Sequence, residues 1–117
     1  DMTILVTGGG GFIGRSIVKA LLDRGDAVRT LSRGDYPQLR EWGADVRRGD
    51  LTRADDVRAA VAGCEGVFHV AARFDLWGRY EDFYATNTLG TRHVIEACRA
   101  AGVGKLVFTS TPSVVHG

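Results

Sequence analysis

The sequence predicts an α/β fold, a doubly wound open sheet of five parallel strands with helices on both faces, and three observations predict it. Short apolar runs alternate with helically periodic segments from one end of the chain to the other. The helical segments are mostly long enough, about ten residues or more, to carry the chain back along a sheet, which makes consecutive strands parallel. The strands are continuously apolar, the pattern of a sheet covered on both faces.

"TILVT", Thr3–Thr7, is the first strand, and the glycines from Gly8 to Gly11 break it. Ile13, Ile17, Ala20, Leu21 and Arg24 then recur at helical spacing until Gly25 stops the helix. "AVRTLS", Ala27–Ser32, is the second strand. "YPQLREWG", Tyr36–Gly43, is a short helix opened by Pro37 and closed by Gly43. "DVRRGD", Asp45–Asp50, is a third and weaker strand, after which Thr52 is placed to cap a helix with Val57, Ala60, Val61 and Cys64 on one face. "GVFHVAA", Gly66–Ala72, is the fourth strand, Tyr80–Ala101 the longest helix, and "KLVFTS", Lys105–Ser110, the fifth strand. In such a sheet ligands bind beyond the carboxyl ends of the strands.

The 117 residues are the size of one domain. A hydrophobic content of 44% with 25% charged residues is that of a soluble globular protein. A net charge of +1 gives no reason to expect a nucleic-acid partner or a membrane surface. No apolar run is long enough to span a bilayer, and no basic-then-apolar leader opens the chain. Asp1 precedes Met2, which reads as the native start. Cys64 and Cys98 stand apart with no Cys-x-x-Cys and no paired histidines nearby, and read as reduced thiols of a cytoplasmic protein with no metal site.

"TGGGGFIG", Thr7–Gly14, joins the first strand to the first helix. Gly8 can supply positive φ for a tight turn, Gly11 lets a diphosphate come up to the main chain, and Gly14 lets the helix pack closely on the sheet. The unpaired amides of the helix start, with the helix dipole behind them, then face the phosphates. The spacing of these glycines resembles the TGxxGFIG pattern of the extended short-chain dehydrogenase/reductases, whose Rossmann-like domain binds NAD(P). The resemblance implies that Gly8, Gly11, Phe12, Ile13 and Gly14 hold the cofactor. It runs through essentially the whole chain. "VAARFDLWGRYEDFYATNTLGT" and "KLVFTSTPSVVHG" resemble the 3β-hydroxysteroid-dehydrogenase-like branch of the epimerase/dehydratase group. Within it, the Trp77-Gly78 loop, Tyr80 to Tyr84 and Thr109 to Ser113 look closest to 2-alkyl-3-oxoalkanoate reductases. There Phe74 and Trp77 would line the mouth for an apolar ketone or alcohol, or else cover the sheet end.

In NAD-binding versions an acidic residue ends the second strand and holds the adenosine ribose. Ser32 and Arg33 occupy that place here. A guanidinium can bind a 2′-phosphate through charge-assisted hydrogen bonds of about 1.5–3 kcal/mol each, so NADP(H) is expected over NAD(H). The other reading is a solvated Arg33 with Asp35 reaching back to make an NAD site. Asp50 and Leu51 match the family's Asp-Leu pair, implied to hold the adenine, although Asp50 can equally cap a helix. Val70, Ala71 and Ala72 in "HVAA" resemble the small-residue segment beneath the nicotinamide ribose, while His69 reads as a core residue.

On the long helix Asn87 falls in the stripe of Tyr80, Tyr84, Thr91, Val94, Ile95 and Cys98, where a buried amide must find partners. "NTLGT", Asn87–Thr91, resembles the family's N-x-x-G-T, in which the Asn organises the active site. The hydroxyls ending the fifth strand resemble those that polarise the substrate carbonyl; the matching position is Thr111 or its neighbour Ser110, with Ser113 following. The family's tyrosine with a lysine four places later has no counterpart, since Tyr36 precedes Arg40, Tyr80 precedes Tyr84 and Tyr84 precedes Thr88. The resemblance therefore implies the cofactor domain of an oxidoreductase, moving hydride between NADP(H) and a ketone or secondary alcohol. Its catalytic pair and substrate lobe are expected beyond Gly117, leaving these residues inactive alone. A nucleotide-sugar epimerase or dehydratase and a nucleotide-sensing module without chemistry are the alternatives. An uncovered sheet edge would also invite association as a homodimer.

Overall fold

A computed structural model describes the backbone of residues 2–8, 10–72 and 80–111 and the side chains of residues 2–8, 10–70 and 88–109. In chain order the elements are β1 (Thr3–Thr7), α1 (Phe12–Asp23), β2 (Ala27–Ser32), α2 (Pro37–Glu41), β3 (Asp45–Arg48), α3 (Ala54–Val61), β4 (Gly66–Ala72), α4 (Tyr80–Ala101) and β5 (Lys105–Thr111). The five strands form one sheet in the order β3-β2-β1-β4-β5, and every neighbouring pair is parallel. From β1 the chain crosses to β2 on one side and later returns to β4 on the other. The strand order therefore reverses at β1, and the crevice between the carboxyl ends of β1 and β4 is where a doubly wound sheet receives a ligand.

Alternate residues of the central strands feed two cores. Ile4, Val6 and Val28 pack with Val18 and Leu21 of α1, Leu39 of α2, and Ala44. Leu5, Leu31 and Val67 pack with Val57, Ala60 and Val61 of α3 and Val94, Ala97 and Cys98 of α4. Both faces of β1 are thereby buried, as its unbroken apolar run requires. Thr7 and His69 continue the α3/α4 side of their strands, in register with each other. Burial extends to Arg29 of β2, whose guanidinium donates to the Ala60 and Ala62 carbonyls at 2.7 Å each. It satisfies the carbonyl end of α3, where intrahelical donors have run out.

Several boundaries and faces differ from the expectations. The buried side of α1 is Gly14, Val18 and Leu21, whereas Ile13 is 39% exposed and Ala20 is also exposed. The close packing expected at Gly14 is present, and the helix turns that glycine rather than Ile13 toward the sheet. The cap of α3 is Arg53, with no side-chain hydrogen bond, and not Thr52. Thr52 instead donates its backbone N–H and its hydroxyl to Asp50, in a turn that precedes the helix. Cys64 lies beyond the end of α3 yet still reaches the same core. β3 stops at Arg48, short of Asp50, and β5 runs on to Thr111. Both cysteines are free and buried, and burial pushes their thiols up, away from reactivity. Among the described residues no helix is long and apolar enough to cross a membrane.

Candidate functional site

At the carboxyl end of β1 the chain turns through Gly8, whose φ of 74° lies in the left-handed region. A Cβ built on Gly8 would stand 2.8 Å from the Val70 carbonyl oxygen, so the turn is pressed onto the end of β4. Gly11 donates its N–H to the Gly8 carbonyl at 3.2 Å and caps α1 with extended backbone and no side-chain acceptor. The first intrahelical bond runs from the Arg15 N–H to the Gly11 carbonyl at 2.9 Å, and no acidic residue occupies the first turn. The amides of Phe12, Ile13 and Gly14 thus begin a helix whose positive dipole end meets no carboxylate of its own turn. Phe12 is 72% exposed beside them. Gly10 serves another neighbour. The Tyr36 ring lies so close that a Cβ there would overlap it, and the same ring lies against Gly34, making a wall between the β1 and β2 turns.

Beyond β2, the Ser32 hydroxyl donates to the Gly34 carbonyl at 3.2 Å, and the Ser32 carbonyl accepts the Gly49 N–H at 2.9 Å. Arg33 is exposed, and its carbonyl is held from β3 by Nη2 of Arg48 at 3.3 Å. Asp35 pairs with Arg40 at 3.1 Å, so its carboxylate already has a cation. Asp50 accepts both Thr52 donors on one oxygen, at 2.8 and 2.9 Å. Those bonds lower its pKa, and the nearby Arg33 and Arg53 guanidinium groups add to the effect against a smaller opposing effect of burial. Asp50 therefore orders its own turn as a capping residue would, while its second carboxylate oxygen makes no bond among the described residues. Leu51 lies against Gly90 of α4, where a Cβ would come within 3.0 Å of the Leu51 Cβ. The Leu51 carbonyl accepts the Nδ1 proton of His93 at 2.7 Å.

At the other end of the crevice, Val70 touches Gly8, and the register of β4 with β5 sets Ala71 opposite Ser110 and Ala72 opposite Thr111. The side chains of Ala71, Ala72, Asn87, Ser110 and Thr111 lie outside the described residues, as do Phe74, Trp77 and Ser113. Asn87 falls within α4, four residues before Thr91. His69 is the core residue expected from the sequence, 1% exposed, and what the sequence did not show is that both its ring nitrogens are bonded. Nδ1 is 2.6 Å from the Thr7 hydroxyl and Nε2 is 2.9 Å from the Thr91 hydroxyl. The Phe108 ring meets it edge-on at 5.6 Å. Burial lowers its pKa to about 4, so the imidazole is neutral at pH 7. The sequence shows a histidine within an otherwise apolar strand, and the sheet sets it in register with Thr7 of β1.

The reversal of strand order, the bare turn at that point and the uncapped helix behind it define a Rossmann-like architecture of the short-chain dehydrogenase/reductase type. The glycine-lined contact with Val70 and the free helix start suit a dinucleotide diphosphate, because a side chain at Gly8 would collide with backbone. The model of the 3-beta hydroxysteroid dehydrogenase/isomerase family matches residues 5–117, and the chain belongs to that family. It is 49% identical over 115 residues to a 2-alkyl-3-oxoalkanoate reductase of Stenotrophomonas maltophilia, covering 98% of this chain and 35% of that enzyme. It is 42% identical over 127 residues to a 3 beta-hydroxysteroid dehydrogenase/Delta 5-->4-isomerase of Mycobacterium tuberculosis, covering 97% of this chain and 33% of that one. A short-chain dehydrogenase/reductase superfamily protein from Agrobacterium tumefaciens, solved with bound NAD, superposes with a TM-score of 0.78 at 32% identity, covering 91% of this chain and 31% of that chain. The chain spans about a third of the length of the curated relatives it matches.

Proposed function

We propose that these residues form the cofactor-binding part of an NADP(H)-dependent oxidoreductase acting on an apolar ketone or secondary alcohol, of 3-oxoacyl or 3-hydroxysteroid type. The observation that carries the reading is the helix start at Gly11, with no capping side chain, no carboxylate in its first turn, and a left-handed Gly8 held against Val70. A diphosphate placed there accepts from the amides of α1 and is favoured by its dipole. Arg33, with its carbonyl held by Arg48, supports the preference for a 2′-phosphate, and the ion pair of Asp35 with Arg40 argues against Asp35 as a ribose acceptor. Asp50 and Leu51 receive the adenine, Asp50 through the carboxylate oxygen not used by Thr52. Val70, Ala71 and Ala72 underlie the nicotinamide end.

When bound, the nicotinamide supplies or accepts hydride. Ser110 or Thr111 at the end of β5 donates a hydrogen bond to the substrate oxygen, and Asn87 of α4 orders the polar groups around it. None of the three tyrosines has a lysine four places later, so turnover is expected of a longer protein and not of these 117 residues. The substrate class rests on the 49% identity to a 2-alkyl-3-oxoalkanoate reductase. Calorimetric titration of the chain with NADP+ and NAD+ tests the reading. Binding of NADP+ more tightly than NAD+ supports it, and no binding of either at millimolar concentration refutes it.

A further inference from the structure

We propose that His69 is a positioning residue that couples the glycine turn to helix α4, so that a dinucleotide settling on the turn also fixes the helix carrying Asn87. The inference rests on the proposed nucleotide site. Its physical basis is a continuous hydrogen-bonded path across three elements: the Thr7 hydroxyl on β1, the His69 ring on β4 and the Thr91 hydroxyl on α4, with distances of 2.6 and 2.9 Å. Thr7 directly precedes Gly8 and is fully buried. Thr91 stands one helical turn after Asn87.

A neutral imidazole has one donor and one acceptor, and a threonine hydroxyl can be either. The path is therefore satisfied in one of two directions, depending on which ring nitrogen carries the proton. Breaking it at either hydroxyl leaves a ring nitrogen without its partner in a site that is 1% exposed. An apolar side chain at position 69 would fill the space against Phe108 but would transmit no orientation, because dispersion contacts have no preferred direction. The groups facing the ring, Thr7 from β1, Thr91 from α4 and Phe108 from β5, carry no charge. The path thus serves to hold geometry, not to pair ions. A second tie acts in parallel, since Gly90 and His93 of the same helix segment hold Leu51 at the adenine end. Helix α4 is braced against both ends of the crevice, and among the described residues the His69 brace is the one that ends on Thr7, directly before the glycine turn.

The test is amide hydrogen exchange of the chain with and without saturating NADP+, combined with calorimetric affinities, for wild type, Thr91→Val and Thr91→Ser. In wild type NADP+ slows exchange both at the β1–α1 turn and along α4. Thr91→Val preserves shape but removes the hydroxyl; it keeps the slowing at the turn, loses it along α4, and weakens NADP+ binding by about threefold to tenfold. Thr91→Ser, which restores the hydroxyl and lacks the methyl, returns both readouts to wild type. Thr7→Val cuts the path at its other end and gives the same loss along α4, which keeps the inference testable should Thr91→Val fold poorly. If NADP+ binds and α4 slows equally in wild type and both valine variants, the coupling is wrong while the nucleotide site stands. If wild type binds no nucleotide, the proposed function fails and the coupling falls with it.

Discussion

Gly8 and Val70 meet at the point where the sheet reverses its strand order: Gly8 has a φ of 74°, and a Cβ on it would stand 2.8 Å from the Val70 carbonyl oxygen. Gly11, three residues on, differs in both respects. Its φ of −79° suits any residue, and among the described residues a Cβ there would meet the Gly8 carbonyl at 3.7 Å, an ordinary contact. The two glycines are therefore bare for different reasons, and substitution separates them. Gly8→Ala combines backbone strain with a collision against backbone and should cost about 2 kcal/mol or more of stability. Gly11→Ala should unfold within about 0.5 kcal/mol of wild type, yet weaken NADP+ binding at least about tenfold by blocking the approach of the diphosphate. Urea denaturation and calorimetry on both variants check this. Wild-type affinity in a folded Gly11→Ala protein would remove Gly11 from the site.

Arg33 is the proposed reader of the 2′-phosphate. Arg33→Ala should weaken NADP+ by about tenfold to a hundredfold and leave NAD+ little changed, the loss expected from one or two charge-assisted bonds. Arg48 donates to the Arg33 carbonyl at 3.3 Å, so Arg48→Ala should give a smaller loss of the same preference by loosening that loop. Raising ionic strength should erode the NADP+ preference in wild type and not in Arg33→Ala. Equal affinities for both nucleotides in both proteins would remove the argument for NADP(H).

The strands and their parallel pairing are legible in the sequence because buried strands are continuous apolar runs, as in "TILVT" and "KLVFTS". The glycine turn is legible because its constraints are local, a few residues between a strand and a helix. The buried face of α1 is legible only in part: Gly14 and Leu21 lie on it as expected, but the counting of apolar residues takes in Ile13 and leaves out Val18, and packing on the sheet decides between these neighbouring faces. The role of His69 is illegible for a different reason: its partners are 62 and 22 residues away in sequence, and only the sheet order brings them together. Tyr36 is similar. Its contact with Gly10 joins two turns at the ends of different strands, so nothing local to the glycine run marks Gly10 as the partner of that ring.

His69 also predicts a pH dependence. Its folded pKa of about 4 lies below the ordinary 6.5 because burial penalises the cation. The unfolded chain therefore binds the proton first, and the stability contributed by neutral His69 is fully present above about pH 6.5 and lost as pH falls toward 4. The expected loss is on the order of 2–3 kcal/mol between pH 7 and pH 4.5. Asp50 has the opposite sign of group and a lower window. Its depressed pKa stabilises the fold above its ordinary 3.8, and that contribution is lost only at lower pH. Urea midpoints from pH 8 to 4.5 should fall in wild type and flatten in His69→Gln, which keeps a donor and an acceptor but does not titrate. An equally steep fall in both would place the sensitive group elsewhere.

Gly90 offers the sharpest test of the adenine end. A Cβ at this position would come within 3.0 Å of the Leu51 Cβ, and the Leu51 segment cannot readily retreat because its carbonyl is held by His93 at 2.7 Å. Gly90→Ala gains about 1 kcal/mol of helix propensity but incurs an overpacking cost of about 1–3 kcal/mol. A net destabilisation of about 1 kcal/mol is expected from this difference, and Leu51→Gly in the same chain, which removes the crowded Cβ as Leu51→Ala does not, should relieve the crowding term. Leu51 is the proposed support of the adenine ring, so displacing it should weaken binding of 2′,5′-ADP as much as binding of NADP+. A substitution acting at the nicotinamide end would spare the fragment. Thermal unfolding detects the packing effect and calorimetry with the two ligands detects the site. A Gly90→Ala protein with lowered stability but wild-type affinity for both ligands would show that Leu51 packs the helix and does not hold the adenine.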